Sequence, residues 1–435
     1  MPVRSLCYDL QLLTMPTPSL LIVPARFKTG KLYSQIPTSG AGDFTVTRAT
    51  TATRVNASGL IESVASGIPR LDYFASDGTV GCPALLVEPA GTNGILNSTD
   101  TRTNWVLGAN LTSGAIDVIG VSGNNLTVAV SGSLGFDNSV LRRTGNNVAL
   151  ASGSTYTISF LMKQTATHTV GGYYAVITGA GSGDLAAGFN VSGSFSSGSF
   201  FTSNSTINRI RRVERFGTDV FRCSETFTMS ASGTLTQLGF APVSSVTSAS
   251  SPAVGTQLGF AAPQIELGSV PTSFIPTTTA AVTRSGDLVS VTGAVSGSIG
   301  QTAGTFYLDL TYSLRLTSTA TRWIQIFGSS NNIGLAVAGT NIVRSIVNGQ
   351  SDTLSTPSTA NGVKIAWGYD GSGVVCFVNG TQYTLTLGGA QIITQLNQIS
   401  LDLSTTNAIG NCRLRAAALY TTRLTNAQLA ALTSL

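Results

Sequence analysis

RATTATRVNASGLIE, residues 48–62, decides the class of fold. Thr50 to Val55 alternates and is rich in β-branched side chains, which favour strands. Asn56-Ala-Ser-Gly59 supplies turn chemistry, and Leu60 to Val64 returns, so the stretch predicts a β-hairpin closed by a four-residue loop. Two further blocks follow, PRLDY (Pro69–Tyr73) and CPALLVEPAGTN (Cys82–Asn93), neither with helical periodicity.

Composition extends that reading to the whole chain. At 435 residues, two or three domains are expected. Charged residues are 10% of the chain, against roughly 25% in an ordinary soluble domain. The 48 glycines exceed the usual share of roughly 7%. Ser, Thr and Asn supply the polarity, which is the pattern of an all-β protein with many turns. So little charge suits a chain packed against copies of itself or other shell proteins, or an extracellular β-protein of low charge.

The net charge of +5 rests on arginine, since Lys28, Lys31, Lys163 and Lys364 are the four lysines. Arg209, Arg211, Arg212 and Arg215 cluster around Glu214. Without interleaved aromatics the cluster reads as a charged edge strand that resists pairing, and no nucleic-acid partner is expected. Cys7, Cys82, Cys223, Cys376 and Cys412 are odd in number and lack paired spacing. They are expected to be small buried side chains of a protein assembled in a reducing compartment, with no metal site. No run approaches the roughly 18 apolar residues of a membrane span, and Leu20–Val23 is too short for a signal peptide.

Three parts follow along the chain. Residues 1–100 hold the hairpin and neighbouring strands. Residues 101–275 show strand-like runs every 10 to 20 residues, among them Tyr156–Lys163, Tyr173–Thr178 and Asp219–Met229, as a sandwich or jelly roll does. TQLGFAP (Thr236–Pro242) and TQLGFAAP (Thr256–Pro263) are near-copies expected to share a packing solution. Residues 276–304, continuing the Pro- and Thr-rich PTSFIPTTTAAVTRSGD (Pro271–Asp287), read as a linker. Residues 305–435 form a second sandwich with a hairpin at Asn379-Gly380. The chain ends on a short helix. Thr425 and Gln428 form a capping box, and Leu429 and Leu432 face the sandwich.

In this order the segments resemble known proteins. PSLLIVPARFKTGKLYSQIP (Pro18–Pro37), the hairpin block, PRLDY and LLVEPAGTN resemble the N-terminal region of tailed-bacteriophage fibre, spike and head-appendage proteins. YTISFLMK (Tyr156–Lys163), FRCSETFTM (Phe221–Met229) and PQIELGSVPTSFIPT (Pro263–Thr277) are similar to jelly-roll carbohydrate-binding modules. VVCFVNGTQ (Val374–Gln382) and RAAALYTTRLTNAQLAAL (Arg415–Leu432) resemble a concanavalin-A/laminin-G-type lectin sandwich. Gly91 and Gly94 depart from the pattern, which has a larger residue and an apolar run there. Residues 1–17 fall outside it, as a docking arm or as an extension upstream of Met15.

The resemblance implies a virion structural protein. Residues 1–100 would attach it to portal, tail or capsid proteins, and the jelly roll and lectin-like sandwich would be presented for host-surface adhesion. A homotrimer and a host glycan are the implied partners, and no cofactor is implied. The alternative is a capsid-decoration protein that stabilises the head without receptor binding.

Catalysis is not expected. His168 is the single histidine and stands in a polar QTATHT loop without a nucleophile motif. No two acids lie closer than five residues, and Asp352, Asp370 and Asp402 are isolated. Sugar binding needs aromatic faces instead. Trp105, Tyr173 and Tyr174 are the candidates, with Trp323, Trp367 and Tyr383 weighed beside them. Neighbours along a strand face opposite ways, so at most one of Tyr173 and Tyr174 is expected to line the core. Trp367, in an alternating strand, is expected in the core.

Overall fold

The structure is a computed structural model. It describes residues 15–74, 79–102, 104–130, 140–165, 168–179, 183–190, 206–245, 252–312, 321–328, 331–338, 342–348, 350–354, 362–383, 385, 396–402 and 412–434. The chain is all-β, with one short helix at its C-terminal end.

The predicted hairpin is present. Ala52–Val55 pairs with Ile61–Val64 in antiparallel register. The Asn56 side chain accepts from the amides of Ser58 and Leu60 at 2.9 and 3.1 Å. Gly59 adopts the positive φ, +77°, that closes the loop.

Residues 106–267 form a sandwich. One sheet has six strands, in the order 111–118, 121–128, 257–267, 155–163, 220–229 and 206–215. The facing sheet has five, in the order 106–107, 141–150, 233–242, 170–178 and 183–190. The near-copies lie one in each sheet, on Gly233–Pro242 and Gln257–Leu267. Leu238, Phe240, Leu258 and Phe260 all enter the core between the sheets. Phe240 stacks on Phe260 with centroids 5.4 Å apart, so the repeated sequence meets itself across the sandwich. The strand Thr206–Arg215 lies at the end of its sheet, with a break in register between Ile207 and Ile210. Its arginines therefore sit on an edge strand.

The second sandwich draws on both ends of the chain. Its eight-stranded sheet runs 381–383, 373–378, 363–370, 304–312, 412–420, 80–87 and 71–74. Leu20–Ile22 also pairs along Cys412–Tyr420, antiparallel to Ala417–Leu419. The nine-stranded sheet runs 27–28, 31–32, 44–47, 288–292, 396–402, 321–328, 332–338, 342–347 and 350–354. One core joins Leu20, Phe44, Val46 and Leu85 to Val289, Phe306, Trp367 and Leu419. The segment expected as a linker carries two paired strands. Val282–Arg284 pairs with Gly91–Asn93, and Leu288–Thr292 is inserted between 44–47 and 396–402. The physical reason lies in the edges: an open sheet edge exposes a row of unmet hydrogen-bonding groups, and these early and linking strands cover it.

The Asn379-Gly380 hairpin forms with both residues at positive φ, 48° and 81°, as a type I′ turn requires. The helix Asn426–Thr433 begins at the predicted capping box of Thr425 and Gln428. Leu424, Leu429 and Leu432 pack on Tyr307, Ala366 and Phe377. In Gly304–Tyr312 the even positions enter the main core and Tyr307 lies under the helix, so both faces of this strand are covered.

Candidate functional site: the junction between the sandwiches

The segments singled out in the sequence meet where the two sandwiches join. Arg48, at the end of Phe44–Thr47, is buried and donates from Nη1 to Asp287 Oδ1 at 2.9 Å. Its Nε and Nη2 reach the carbonyls of Thr50 and Ala65 at 2.9 and 2.6 Å. Arg70, from PRLDY, is 0% exposed. Its Nη1 donates to Glu88 Oε2 at 2.8 Å, to Ser273 Oγ at 2.8 Å and to the Thr53 carbonyl at 3.0 Å, while Nη2 bonds Asp287. Glu88, from LLVEPAGTN, also accepts from Ser273 N at 2.8 Å and from Ser273 Oγ at 2.6 Å. Arg284 stands 3.6 Å from Glu88 and donates to the Pro89 carbonyl at 2.7 Å.

Three guanidinium groups thus enclose two carboxylates with almost no water contact. Burial alone would raise the Glu88 pKa, but the charges of Arg70 and Arg284 outweigh it and hold the carboxyl well below its usual range. Burial likewise works to lower Arg70, and its two carboxylates reverse the sign. Arg48 and Arg284 remain shifted down by burial despite their partners.

The same junction fastens the jelly roll's last segment. Thr53 Oγ1 donates to the Phe274 carbonyl at 2.6 Å. Asn93 donates to the carbonyls of Pro263 and Ile275 at 3.2 and 2.9 Å and accepts from the amides of Ile95 and Ile265 at 3.0 and 3.2 Å. Glu266 accepts from the Thr272 amide at 2.9 Å and from the Thr272 hydroxyl, and burial pushes its pKa up. Gly91 and Gly94 each have a local cause. A Cβ at Gly91 would lie 2.7 Å from Glu266 Oε1, and one at Gly94 would lie 2.8 Å from Val148 Cγ2. Both glycines let the backbone pass close to the jelly roll.

Beside this network a narrow cleft of about 30 Å³ lies between the hairpin and the jelly roll. Its wall includes Thr53, Arg54, Asp72, Phe216, Arg222 and Arg413. Arg413 is 3.4 Å from Asp72 and lies over the Phe74 ring at 4.5 Å, and Phe74 meets Phe216 at 4.6 Å between centroids. Arg222 lies over Phe216 at 5.9 Å, with burial lowering its pKa.

The aromatic residues expected to stack on sugars lie elsewhere, inside the jelly roll. Trp105 is 8% exposed, stacks on Phe240 at 5.7 Å and donates from Nε1 to the Asn97 carbonyl at 3.2 Å. Tyr173 belongs to the core between the sheets, against Phe160 and Phe189. Tyr174 points to the opposite face and is buried as well, at 8%. None of the three offers an open ring face for stacking. Trp367 is fully buried against Phe306, as its alternating strand predicts. Tyr383 is half-buried against the second core, and the Trp323 side chain lies outside the described residues.

The remaining chemistry-bearing side chains that the structure describes are engaged locally. His168 is half-buried, with Nε2 2.8 Å from the Val243 carbonyl, and burial lowers its pKa. Arg209 and Arg211 both pair with buried Glu225. Among the described residues no group of three His, Cys, Asp or Glu could hold a metal ion. No described helix is long and apolar enough to cross a membrane. Cys223, Cys376 and Cys412 are buried thiols as expected, and burial pushes Cys412 up to about 12. Cys82 departs from the expectation: it is exposed on its strand and held in a disulfide.

No known protein family matches the chain, and no curated protein does. Solved structures do. The carbohydrate-binding module CBM40 of the Ruminococcus gnavus intramolecular trans-sialidase, bound to α2,3-sialyllactose, is 14% identical over 32% of this chain and 88% of its own, with a TM-score of 0.26. The receptor-binding domain of botulinum neurotoxin mosaic serotype C/D is 12% identical over 33% of this chain and 38% of its own, with a TM-score of 0.28. A leech intramolecular trans-sialidase is 13% identical over 33% of this chain and 25% of its own, with a TM-score of 0.27.

Proposed function

We propose that this chain is a non-catalytic structural protein of a tailed-phage virion, a fibre or appendage that carries a jelly roll and a lectin-like sandwich for adhesion to the host surface. One observation carries the proposal. The segments that resemble appendage proteins, from Arg48 through PRLDY to LLVEPAGTN, converge with Asp287 of the expected linker on a single buried ionic junction. What those segments share is therefore a way of fixing one sandwich against another, which a load-transmitting appendage needs and a soluble catalyst does not. Each acid of the junction is spent on an arginine or a hydrogen-bonded partner, so none is left to act as a general acid or base. The portal, tail or capsid is the attachment partner of this reading, and a homotrimer its assembly.

Particle adsorption tests it. Excess purified protein, or antibody against it, is expected to block attachment of the intact phage to host cells, and the chain is expected among the proteins of purified particles. Unchanged adsorption with the protein present on the head would favour the capsid-decoration role. Absence from purified particles, or glycanase turnover by the isolated protein, would overturn the proposal. Light scattering on the purified chain is expected to give three times its 44.7-kDa mass.

A further inference from the structure

The six-stranded sheet of the jelly roll ends in two edge strands of opposite character. Thr206–Arg215 carries Arg209, Arg211, Arg212 and Arg215 and a break in register, both of which keep an edge from pairing further. Leu111–Val118, LTSGAIDV, has neither device. It pairs with Val121–Val128 without a bulge along its whole length. It holds no Lys, Arg or Pro, and Asp117 is its one charge. Thr112, Ser113, Gly114 and Ala115 are all exposed.

The turn at its end fixes which backbone groups face outward. Ile119 and Gly120 have φ of 48° and 87°, and a two-residue turn of this kind makes Val118 and Val121 a hydrogen-bonded pair. Counting back in twos, Ile116, Gly114 and Thr112 bond to the neighbouring strand. Asp117, Ala115 and Ser113 turn their N–H and C=O groups to the open edge. The ends of that edge are occupied: Leu111 N donates to the Gly108 carbonyl at 3.0 Å, and Lys163 Nζ to the Asp117 carbonyl at 3.2 Å. Between them, the backbone groups of Ser113 and Ala115 meet no partner among the described residues.

We propose that this edge pairs with the same edge of a second copy of the chain, antiparallel about a two-fold axis at Gly114. The inference goes beyond the adhesion reading and does not depend on it. The strand is self-complementary in that register. Ser113 meets the partner's Ala115, Ala115 meets the partner's Ser113, and each pair exchanges both N–H···O bonds. Gly114 faces its own copy in the non-hydrogen-bonded position, where the backbones come closest, about 4.5 Å between Cα atoms. The residue without a side chain thus stands where space is least, although inside the protomer a Cβ there would have nothing within 4 Å. Asp117 falls opposite the partner's Leu111, so no like charges meet. A foreign strand would need none of this symmetry, and a two-fold contact closes on itself after two copies.

The test uses the full-length chain. Light scattering over a concentration series is expected to show the mass rising toward twice its dilute value, whether the dilute species is one chain or three. Gly114→Lys and Gly114→Glu each set like charges face to face at the axis. Each is expected to weaken the association at least about threefold with an unchanged melting temperature, because the added side chain has open space in the protomer. An equimolar mixture of the two is expected to restore it, since opposite charges then meet. Oxidised glutathione reads the register. Gly114→Cys is expected to join two chains, because the Cα separation at the axis lies within the span of a disulfide. Thr112→Cys would stand about 14 Å from its own copy and is expected to join at least about tenfold more slowly. No rise in mass up to about 1 mM, charge variants that associate like wild type, a mixture no better than either variant alone, or equal joining at positions 112 and 114 would each overturn the contact.

Discussion

Arg70→Met removes the central cation of the junction while keeping an unbranched apolar stem of similar length. The structure sets the magnitude. Arg70 contacts two carboxylates, Glu88 at 2.8 Å and Asp287, in a site with 0% side-chain exposure on its own part. Breaking a buried ion pair by removing one partner costs about 3–5 kcal/mol, because the other charge is stranded. Here neither acid is left bare. Glu88 keeps Ser273 and the more distant Arg284, and Asp287 keeps Arg48 at 2.9 Å and the Glu88 amide at 3.0 Å. The lower end therefore applies, about 3 kcal/mol. For units of 150–250 residues this corresponds to a melting temperature about 6–12 °C lower. Urea unfolding should be followed with one probe in each sandwich, since a chain of this size need not unfold in one step. Fluorescence of Trp105 reports on the jelly roll and that of Trp367 on the second sandwich, each tryptophan being kept singly. Wild type is expected to lose both signals together, whereas Arg70→Met is expected to separate them. A loss below about 1 kcal/mol, with the two probes still coincident, would refute the view that this network couples the sandwiches.

Further outcomes follow from the same structure. The Glu88 carboxyl has its pKa depressed by the fold, so its contribution is fully present above the unfolded value of about 4.3 and is lost only as pH falls through the lower folded value. The stability gap between wild type and Glu88→Gln should stay level from pH 8 to about pH 5 and shrink below about pH 4, measured by urea midpoints; a gap that widens in acid would reverse the sign. Gly91→Ala should cost about 1–3 kcal/mol, because its Cβ would meet Glu266 at 2.7 Å, whereas Gly114→Ala, with nothing within 4 Å, should be neutral or slightly stabilising by thermal melting. Thr425→Ala removes the cap of an eight-residue helix and should cost about 1 kcal/mol, seen as faster amide exchange over residues 426–433. Phe240→Ala should cost about 3–5 kcal/mol in thermal melting, since its ring joins Trp105, Phe160 and Phe260 in the jelly-roll core.

Local signals in the chain suffice where a few adjacent residues settle the geometry. Asn56 to Gly59 and Asn379-Gly380 close the turns that their positive-φ residues demand, and Thr425 with Gln428 begins the helix. The aromatic candidates failed as an open sugar platform for a reason that no periodicity reveals. Tyr173 and Tyr174 do point to opposite faces, yet both are buried. Alternation gives the face on which a side chain lies and says nothing of what covers it. Arg222 carried no signal in the sequence either. It lies within FRCSETFTM like any strand residue, and only the fold shows that it is buried against Thr272 and Ser159 and opposite Glu214.

By itself, the sequence determined the strand and turn content, the terminal helix, and the set of segments that matter, because propensity, turn chemistry and capping act within a few residues. Only the tertiary structure decided that Leu20–Ile22 pairs with Ala417–Leu419, that Phe44–Thr47 takes Leu288–Thr292 as its neighbour, and that Arg48, Arg70, Glu88, Arg284 and Asp287 share one dry site. Those pairings span hundreds of residues. They are fixed by the need to cover sheet edges and to bring the buried charges of the junction to opposite ones, which is a condition on the whole fold and is written in no local stretch.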